Sequence, residues 1–137
     1  MHLTAETRLN AILDGTGAGT WEYNPDSGEI IFNERWASML GYTLEELSPL
    51  SFQTWEKLSH PTDIESANQA LTAYLSGDAH QFECVVRMLH KDGDWRYIHT
   101  RGTLFNNDQT AESRWLMGTH LDVTEEKVSQ HQLQQLA

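Results

Sequence analysis

Apolar side chains recur at the three- and four-residue spacing of amphipathic helices in two segments of the chain. The first segment, residues 5–15, follows Thr4, a residue type that caps helices, and ends at a glycine. The second, residues 61–77, has a proline near its first helical position and also ends at a glycine. Between them, short helices in series are predicted to begin near three residues: Asn33, Thr43 and Phe52. Thr43 and Glu46 have the spacing of a capping box.

Alternating apolar and polar residues predict five β-strands in two groups. Two strands, at residues 21–23 and 30–32, precede the short helices and are joined by a turn. Three more follow the long helix, at residues 81–89, 95–105 and 114–123, with a polar loop before the last strand. Strands, helices and again strands, in this order, predict an α+β domain built on a five-stranded antiparallel sheet.

The last strands carry apolar side chains on both faces: Ile98 and Leu104 on one, Trp95 and Tyr97 on the other. An antiparallel sheet normally leaves one face in water. We therefore expect the N-terminal helix and a second copy of the chain to cover the outer face, which makes the protein a homodimer.

Composition limits the domain count and the partners. At 137 residues, 39% of them apolar, the chain has room for one domain with a full core. A formal charge of −11 would repel the phosphates of nucleic acids and anionic membranes, so neither is expected as a partner. Cys84 is the single cysteine, which excludes an internal disulfide, and the sequence has no apolar run typical of a signal peptide or membrane span. These features favour a cytoplasmic location.

An enzymatic site would need a nucleophile beside a base, a metal cluster or two carboxylates in a pocket. The sequence has no second cysteine and no two histidines at helical ligand spacing, and most acids fall in turns or on polar helix faces. It therefore predicts neither a catalytic residue nor a metal site in this chain.

Five short motifs follow one another along the chain. They are the turn Asn24-Pro25-Asp26-Ser27-Gly28 before Ile30-Ile31-Phe32-Asn33, the segment Trp36-Ala37-Ser38-Met39-Leu40-Gly41-Tyr42, the sequence His60-Pro61-Thr62-Asp63, the pair of segments Lys91-Asp92-Gly93 and Tyr97-Ile98, and the run Gly118-Thr119-His120-Leu121-Asp122-Val123-Thr124-Glu125. Together, from about Ala5 to Lys127, they resemble the PAS family, in particular the branch whose C-terminal half is called the PAC motif.

The resemblance implies the PAS fold: a sheet of strand order 2-1-5-4-3, helices over one face, and a cavity between helices and sheet. Family members use the cavity for haem, flavin, small metabolites or nothing. For this chain we expect no cofactor, with flavin and haem as the alternatives. Residues 1–15 would form a capping or dimerisation helix, residues 16–124 the sensory domain, and residues 125–137 the start of an output helix into an effector. We expect a diguanylate cyclase first and a histidine kinase second.

The cavity of such a domain is lined by side chains that face the helices. The candidates are Trp21, Tyr23, Met39, Ile64, Leu71, Cys84, Val86, Met88, Ile98, Thr100, Gly118 and His120. His120 is either satisfied by neighbouring polar groups or is a ligand-contacting or pH-responsive group. Cys84 lies on a strand, outside the helical Asn-Cys-Arg-Phe signature of light-oxygen-voltage domains, so we expect an inert thiol.

Two element boundaries carry further candidates. His60 precedes the long helix and is expected to cap it, with a haem or metal ligand as the alternative. Asp122, Thr124 and Glu125 lie where the last strand becomes the final helix, and Asp122 and Glu125 have capping-box spacing. The resemblance implies that this output junction transmits distortions of the sheet into the helix.

The sequence therefore predicts a sensory module in which a bound ligand shifts the output junction of a dimer. The alternative is a ligand-free domain whose sheet face only dimerises. The two differ in the cavity, because in the second case large side chains would fill it completely, such as Trp21, Tyr23, Met88, Phe82 and Leu71.

Overall fold

The computed structural model describes residues 3–106 and 114–136, where it contains six helices and five strands. The predicted loop before the last strand falls at residues 107–113, outside the described residues. In chain order the elements are α1 (Ala5–Thr16), β1 (Gly19–Tyr23), β2 (Ile30–Phe32), α2 (Glu34–Ser38), α3 (Leu44–Leu47), α4 (Phe52–Leu58), α5 (Pro61–Leu75), β3 (Phe82–Leu89), β4 (Trp95–Asn106), β5 (Arg114–Asp122) and α6 (Thr124–Leu136).

Side chains at the helix starts satisfy the free amides of the first turns. The predicted capping box at α3 is confirmed: the Thr43 N–H donates to Glu46 Oε1 (3.0 Å), and the Glu46 N–H donates to Thr43 Oγ1 (3.1 Å). The predicted end of α1 at Gly15 is wrong. The helix continues to Thr16, and Gly17, with φ of 75°, supplies the left-handed residue that stops it.

The strands pair antiparallel in the order β2-β1-β5-β4-β3, which confirms the predicted fold. One row across the inner face runs Phe32, Trp21, Gly118, Gly102, Phe82. The Trp21 ring lies over both glycines, because a Cβ at Gly102 would lie 2.6 Å from the ring and one at Gly118 would lie 2.5 Å from it. The two glycines therefore make room for an indole flat against the sheet.

The core lies between this inner face and the helices. Its largest fully buried side chains are Trp36, Leu40, Met88, Ile98, Leu116 and Val86. Helix α2 approaches β1 closely at Gly19, where a Cβ would lie 2.6 Å from Trp36 Cα. Phe32 stacks on the Trp36 ring with centroids 3.8 Å apart, so the first hairpin and α2 pack as one layer.

The outer face of the sheet is exposed in the single chain. Its large apolar side chains are Ile31, Val85, Trp95, Phe105, Met117 and Leu121. The expectation that α1 covers this face is wrong for the single chain: no residue of α1 is buried, and Leu9 and Ile12 remain 55% and 62% exposed. An ion pair between Asp14 and Arg35 (2.6 Å) instead joins α1 to α2. Coverage by a second copy remains a prediction.

Helix α5 is fixed to the edge strand β3 by one carboxylate. Asp63 accepts hydrogen bonds from the Arg87 backbone N–H (2.8 Å), Nε (2.8 Å) and Nη2 (2.9 Å). The His60 N–H donates to the Arg87 carbonyl oxygen (2.8 Å). These bonds pair the backbone N–H and carbonyl oxygen of Arg87 on the free edge of the sheet, and they hold the start of α5 against it.

Candidate functional site

A cavity of about 60 Å³ lies between the inner face of the sheet and helices α4 and α5. A cavity needs a volume of roughly 10–15 Å³ to hold one buried water, so this cavity has room for a few waters or a small organic molecule. Its wall is formed by Trp21, Tyr23, Ile30, Phe32, Phe52, Trp55, Ala67, Asn68, Leu71, Phe82, Cys84, Thr100 and His120. None of these side chains is Asp, Glu, Lys or Arg, so the cavity is largely apolar and aromatic.

Two polar residues are direct cross-strand neighbours on the cavity floor. Thr100 of β4 and His120 of β5 pair in the register and are only 5% and 3% exposed. Within the described residues, Thr100 Oγ1 has no hydrogen-bond partner. A buried polar group without a partner costs about 1–3 kcal/mol. The pair therefore leaves free hydrogen-bonding capacity at the cavity.

Burial keeps the ionisable groups of the wall neutral. It lowers the pKa of His120 to about 3, so one ring nitrogen donates and the other accepts. Burial also raises the pKa of Cys84 to about 11, with the nearby charges of Asp63 and Glu83 adding to the effect. The thiol therefore stays protonated and unreactive at neutral pH.

Six of the twelve predicted pocket residues line the cavity: Trp21, Tyr23, Leu71, Cys84, Thr100 and His120. Three others face the same side of the sheet but lie farther along the strands, in the packed core: Val86, Met88 and Ile98. Ile64 lines a groove on the outside of α5, and Met39 lies against Gly19 at the end of α2. Gly118 lies under the Trp21 ring. Contact of any of these residues with a ligand remains a prediction.

Seven wall residues are absent from the twelve candidates, although Phe82 was expected as a side chain that could fill the cavity: Ile30, Phe32, Phe52, Trp55, Ala67, Asn68 and Phe82. The first two pair in register with Tyr23 and Trp21, so alternation in the first hairpin was a usable signal. Phe52 and Trp55 are three residues apart on α4, the spacing of one helix face, and their ring centroids are 5.3 Å apart. Asn68 also lines the groove outside α5, which places it between the cavity and solvent.

The output junction is a hydrogen-bond network around Asp122. Its Oδ1 accepts from the Thr124 N–H (2.9 Å), and its Oδ2 accepts from Arg96 Nε (2.8 Å). Thr124 Oγ1 donates to Asp122 and accepts from the Tyr97 N–H (2.9 Å). The predicted capping partner, Glu125, is replaced by Thr124, because α6 already begins at Thr124 and its amide is the first within reach. The network ties β4, β5 and α6 together.

The carboxyl of Asp122 is ionised in this network. Burial alone would raise its pKa, but hydrogen bonds from Thr124 and Arg96, with the guanidinium charge, outweigh burial and hold the pKa below its ordinary value. His120 precedes Asp122 by two residues on β5, so both side chains lie on the same face of the strand. The cavity wall and the junction are thus neighbours along one strand.

Neither flavin nor haem fits this cavity. Pockets for drug-sized ligands enclose roughly 300–1,000 Å³, several times the volume of about 60 Å³ here. Either group would have to displace wall rings such as Trp21 and Phe82, which pack edge to face with centroids 5.9 Å apart. His60 Nδ1 accepts from the Thr62 N–H (3.2 Å), so this histidine acts as a helix cap.

Residues 3–106 and 114–136 contain no group of three or more His, Cys, Asp or Glu side chains that could hold a metal ion. No helix in the same ranges combines the length and apolar character needed to cross a membrane.

Sequence comparison identifies relatives. A sequence profile of the PAS fold matches residues 29–120. The Notoamide biosynthesis cluster protein J of an Aspergillus species is 32% identical over 94 residues, which cover 64% of this chain and 24% of that protein. The chain thus spans about a quarter of the length of this curated relative.

Solved structures share the fold over most of the chain. A sensory box histidine kinase/response regulator from Burkholderia thailandensis has a TM-score of 0.76 and 27% identity, and the match covers 93% of this chain and 92% of that one. The N-terminal domain of a diguanylate cyclase with PAS/PAC sensor from Marinobacter aquaeolei has a TM-score of 0.67 and 22% identity, with coverage of 80% and 98%. Because the profile match spans more than half of the sequence and the strand order agrees with it, this chain belongs to the PAS fold family.

Proposed function

We propose that this chain is a sensory domain that binds a small molecule in the inner cavity and passes the change to α6 through the Asp122 network. The proposal rests on one observation: His120 forms part of the cavity wall, and Asp122 follows two residues later on the same strand. A molecule that repositions His120 displaces the strand whose end holds the first turn of α6.

The junction is suited to respond to small displacements. The Tyr97 N–H and Thr124 Oγ1 are 2.9 Å apart across the end of the sheet, and such a bond weakens with a shift of a few tenths of an ångström. A ligand shifts an equilibrium only as far as its affinities for the two states differ. The bound molecule must therefore favour one arrangement of the Thr100–His120 pair.

The output partner is proposed to be a covalently linked effector that follows α6. The similar sensor domains belong to a histidine kinase/response regulator and to a diguanylate cyclase, and we place an effector of one of these classes downstream. Helix α6 exposes Val128, Leu133 and Leu136, and the outer sheet face is also apolar. We infer a homodimer in which these surfaces meet and the two α6 helices lie side by side. The free Cys84 agrees with a cytoplasmic setting.

The test fills the cavity without adding a ligand. Cys84→Met lengthens a side chain of the cavity wall, whereas Gln53→Met places the same side chain at an exposed position of α4 that belongs neither to the wall nor to the outer sheet face. Hydrogen exchange of the first-turn amides of α6 is measured by mass spectrometry in both variants and the parent. We expect changed exchange at α6 in Cys84→Met and parental exchange in Gln53→Met.

A ligand-free dimerisation domain is the second candidate, because the small volume of the cavity favours it. This candidate predicts that α6 exchanges alike in all three proteins. If Cys84→Met retains its circular dichroism spectrum and α6 still exchanges as in the parent, the sensory proposal fails and the second candidate stands.

A further inference from the structure

The cavity combines a mostly aromatic wall with a buried polar patch at Thr100 and His120, while Asn68 lies toward solvent. Nine of its thirteen residues are aromatic or aliphatic, among them Trp21, Phe52 and Phe82. Thr100 Oγ1 is more than nine-tenths buried, belongs to the wall and has no partner among the described residues. Its cross-strand neighbour His120 also belongs to the wall, and an imidazole has two hydrogen-bonding nitrogens. A guest that fits this wall has an apolar body and one polar group.

The polar patch accommodates a group that both donates and accepts. A threonine hydroxyl can do either, and a neutral imidazole offers one donor and one acceptor nitrogen. Side chains of directly opposed residues lie about 4.5–5.5 Å apart at their Cβ atoms. One hydroxyl placed between them can accept a hydrogen bond from one and donate to the other.

Charged guests are disfavoured by the same wall. It contains no Asp, Glu, Lys or Arg side chain, so an ion would lose its hydration without gaining a counter-ion. Tyr23 and Cys84, the other titratable groups of the wall, both have a raised pKa, chiefly because of burial, and stay neutral. Burial likewise keeps His120 uncharged.

We propose that the cavity selects an uncharged molecule of no more than one ring, whose single hydroxyl or equivalent group bonds Thr100 and His120. This inference rests on the proposed function, since it takes the cavity as the ligand site. The size limit follows from the volume: an apolar cavity of about 150 Å³ holds benzene, and this one, at about 60 Å³, needs some movement of its wall to admit a ring.

Three single-ring probes of similar size, phenol, toluene and benzoate, test two requirements separately. Toluene lacks the hydroxyl group, and benzoate carries a charge. Their binding to the intact chain is measured by titration calorimetry at pH 7. We expect phenol to bind, toluene to bind at least five- to tenfold more weakly because it leaves the polar pair unpaired, and benzoate not to bind. Equal binding of toluene, or tighter binding of benzoate, would overturn the proposal.

A matched pair of variants tests whether the preference for phenol over toluene arises at Thr100. Thr100→Val keeps the shape of the side chain and removes the hydroxyl at the cavity, whereas Thr103→Val makes the same change on the exposed outer face of β4. Thr100→Val is expected to reduce the preference for phenol over toluene to within about twofold. Thr103→Val is expected to retain it, and loss of the preference in both variants would place the binding elsewhere.

Failure of this inference is distinguishable from failure of the proposed function. If no probe binds but Cys84→Met still changes the exchange of α6, the ligand class is wrong and the coupling stands. If phenol binds with the predicted selectivity but α6 does not respond to Cys84→Met, the ligand class stands and the sensory proposal fails.

Discussion

Acidification from pH 7 to pH 5 is expected to reduce the free energy of unfolding by about 2 kcal/mol through His120 alone. Burial lowers the pKa of this imidazole to about 3 in the folded chain, from an ordinary value of 6.5. Below the unfolded pKa, the unfolded chain therefore binds a proton that the folded chain does not. The contribution of the neutral ring to stability is full above pH 6.5 and is lost as the pH falls.

The magnitude follows from the pH range. Integrating the proton difference between pH 7 and pH 5 gives about 2 kcal/mol, because the folded pKa lies below the range and only the unfolded value enters. Asp63 and Asp122 do not contribute here. Hydrogen bonds from Arg87 hold the pKa of Asp63 below its ordinary value, and hydrogen bonds outweigh burial in lowering that of Asp122. Both carboxylates begin to lose their stabilising effect only below this range.

Urea unfolding followed by tryptophan fluorescence at both pH values measures the loss. His120→Gln keeps a polar side chain that does not titrate. Between pH 7 and pH 5, its free energy of unfolding should therefore fall by about 2 kcal/mol less than that of the parent. His80→Gln, an exposed position after α5, is the control and should retain the parental acid sensitivity. An equal loss in the parent and in His120→Gln would refute the burial argument.

Three further substitutions test the packing and the junction. Gly118→Ala should cost about 3 kcal/mol, because its Cβ would lie 1.9 Å from a backbone oxygen, whereas Gly15→Ala, with nothing within 4 Å, should be neutral or slightly stabilising in the same urea assay. Asp63→Asn should cost about 2 kcal/mol at pH 7 by weakening the bonds to Arg87, and this difference should shrink as the pH falls through the folded pKa of Asp63. Thr124→Val should cost about 1 kcal/mol and speed amide exchange in the first turn of α6, and unchanged exchange would contradict the role given to its hydroxyl.

The sequence predicts the elements well where the signals are local. The capping box of Thr43 and Glu46 acts within four residues, and all three C-terminal strands lie within one residue of their predicted bounds. The strand order came from the family resemblance, because alternation shows which face a residue occupies but not which strand lies beside it. The end of α1 was missed by two residues because Gly17 rather than Gly15 adopts the left-handed conformation.

The cavity is less predictable because it depends on where the helices leave a gap. Val86 and Ile98 share a face with Cys84 and Thr100, yet a period of two cannot distinguish a packed row from one beside a cavity. The free hydroxyl of Thr100 depends on which side chains come within hydrogen-bond distance, and only the folded chain shows this. The exposure of α1 could not be predicted for the same reason: its apolar stripe predicts a helix but does not show which surface the helix packs against.

A titration of ¹⁵N-labelled protein with phenol, followed by NMR, tests the link between cavity and output helix most directly. We predict that the amide signals of Thr100 and His120 in the wall and those of Tyr97 and Thr124 at the junction shift together, with one midpoint concentration. Saturation of the wall signals without any shift at Tyr97 and Thr124 would contradict the account, because the cavity would then bind a molecule without informing α6.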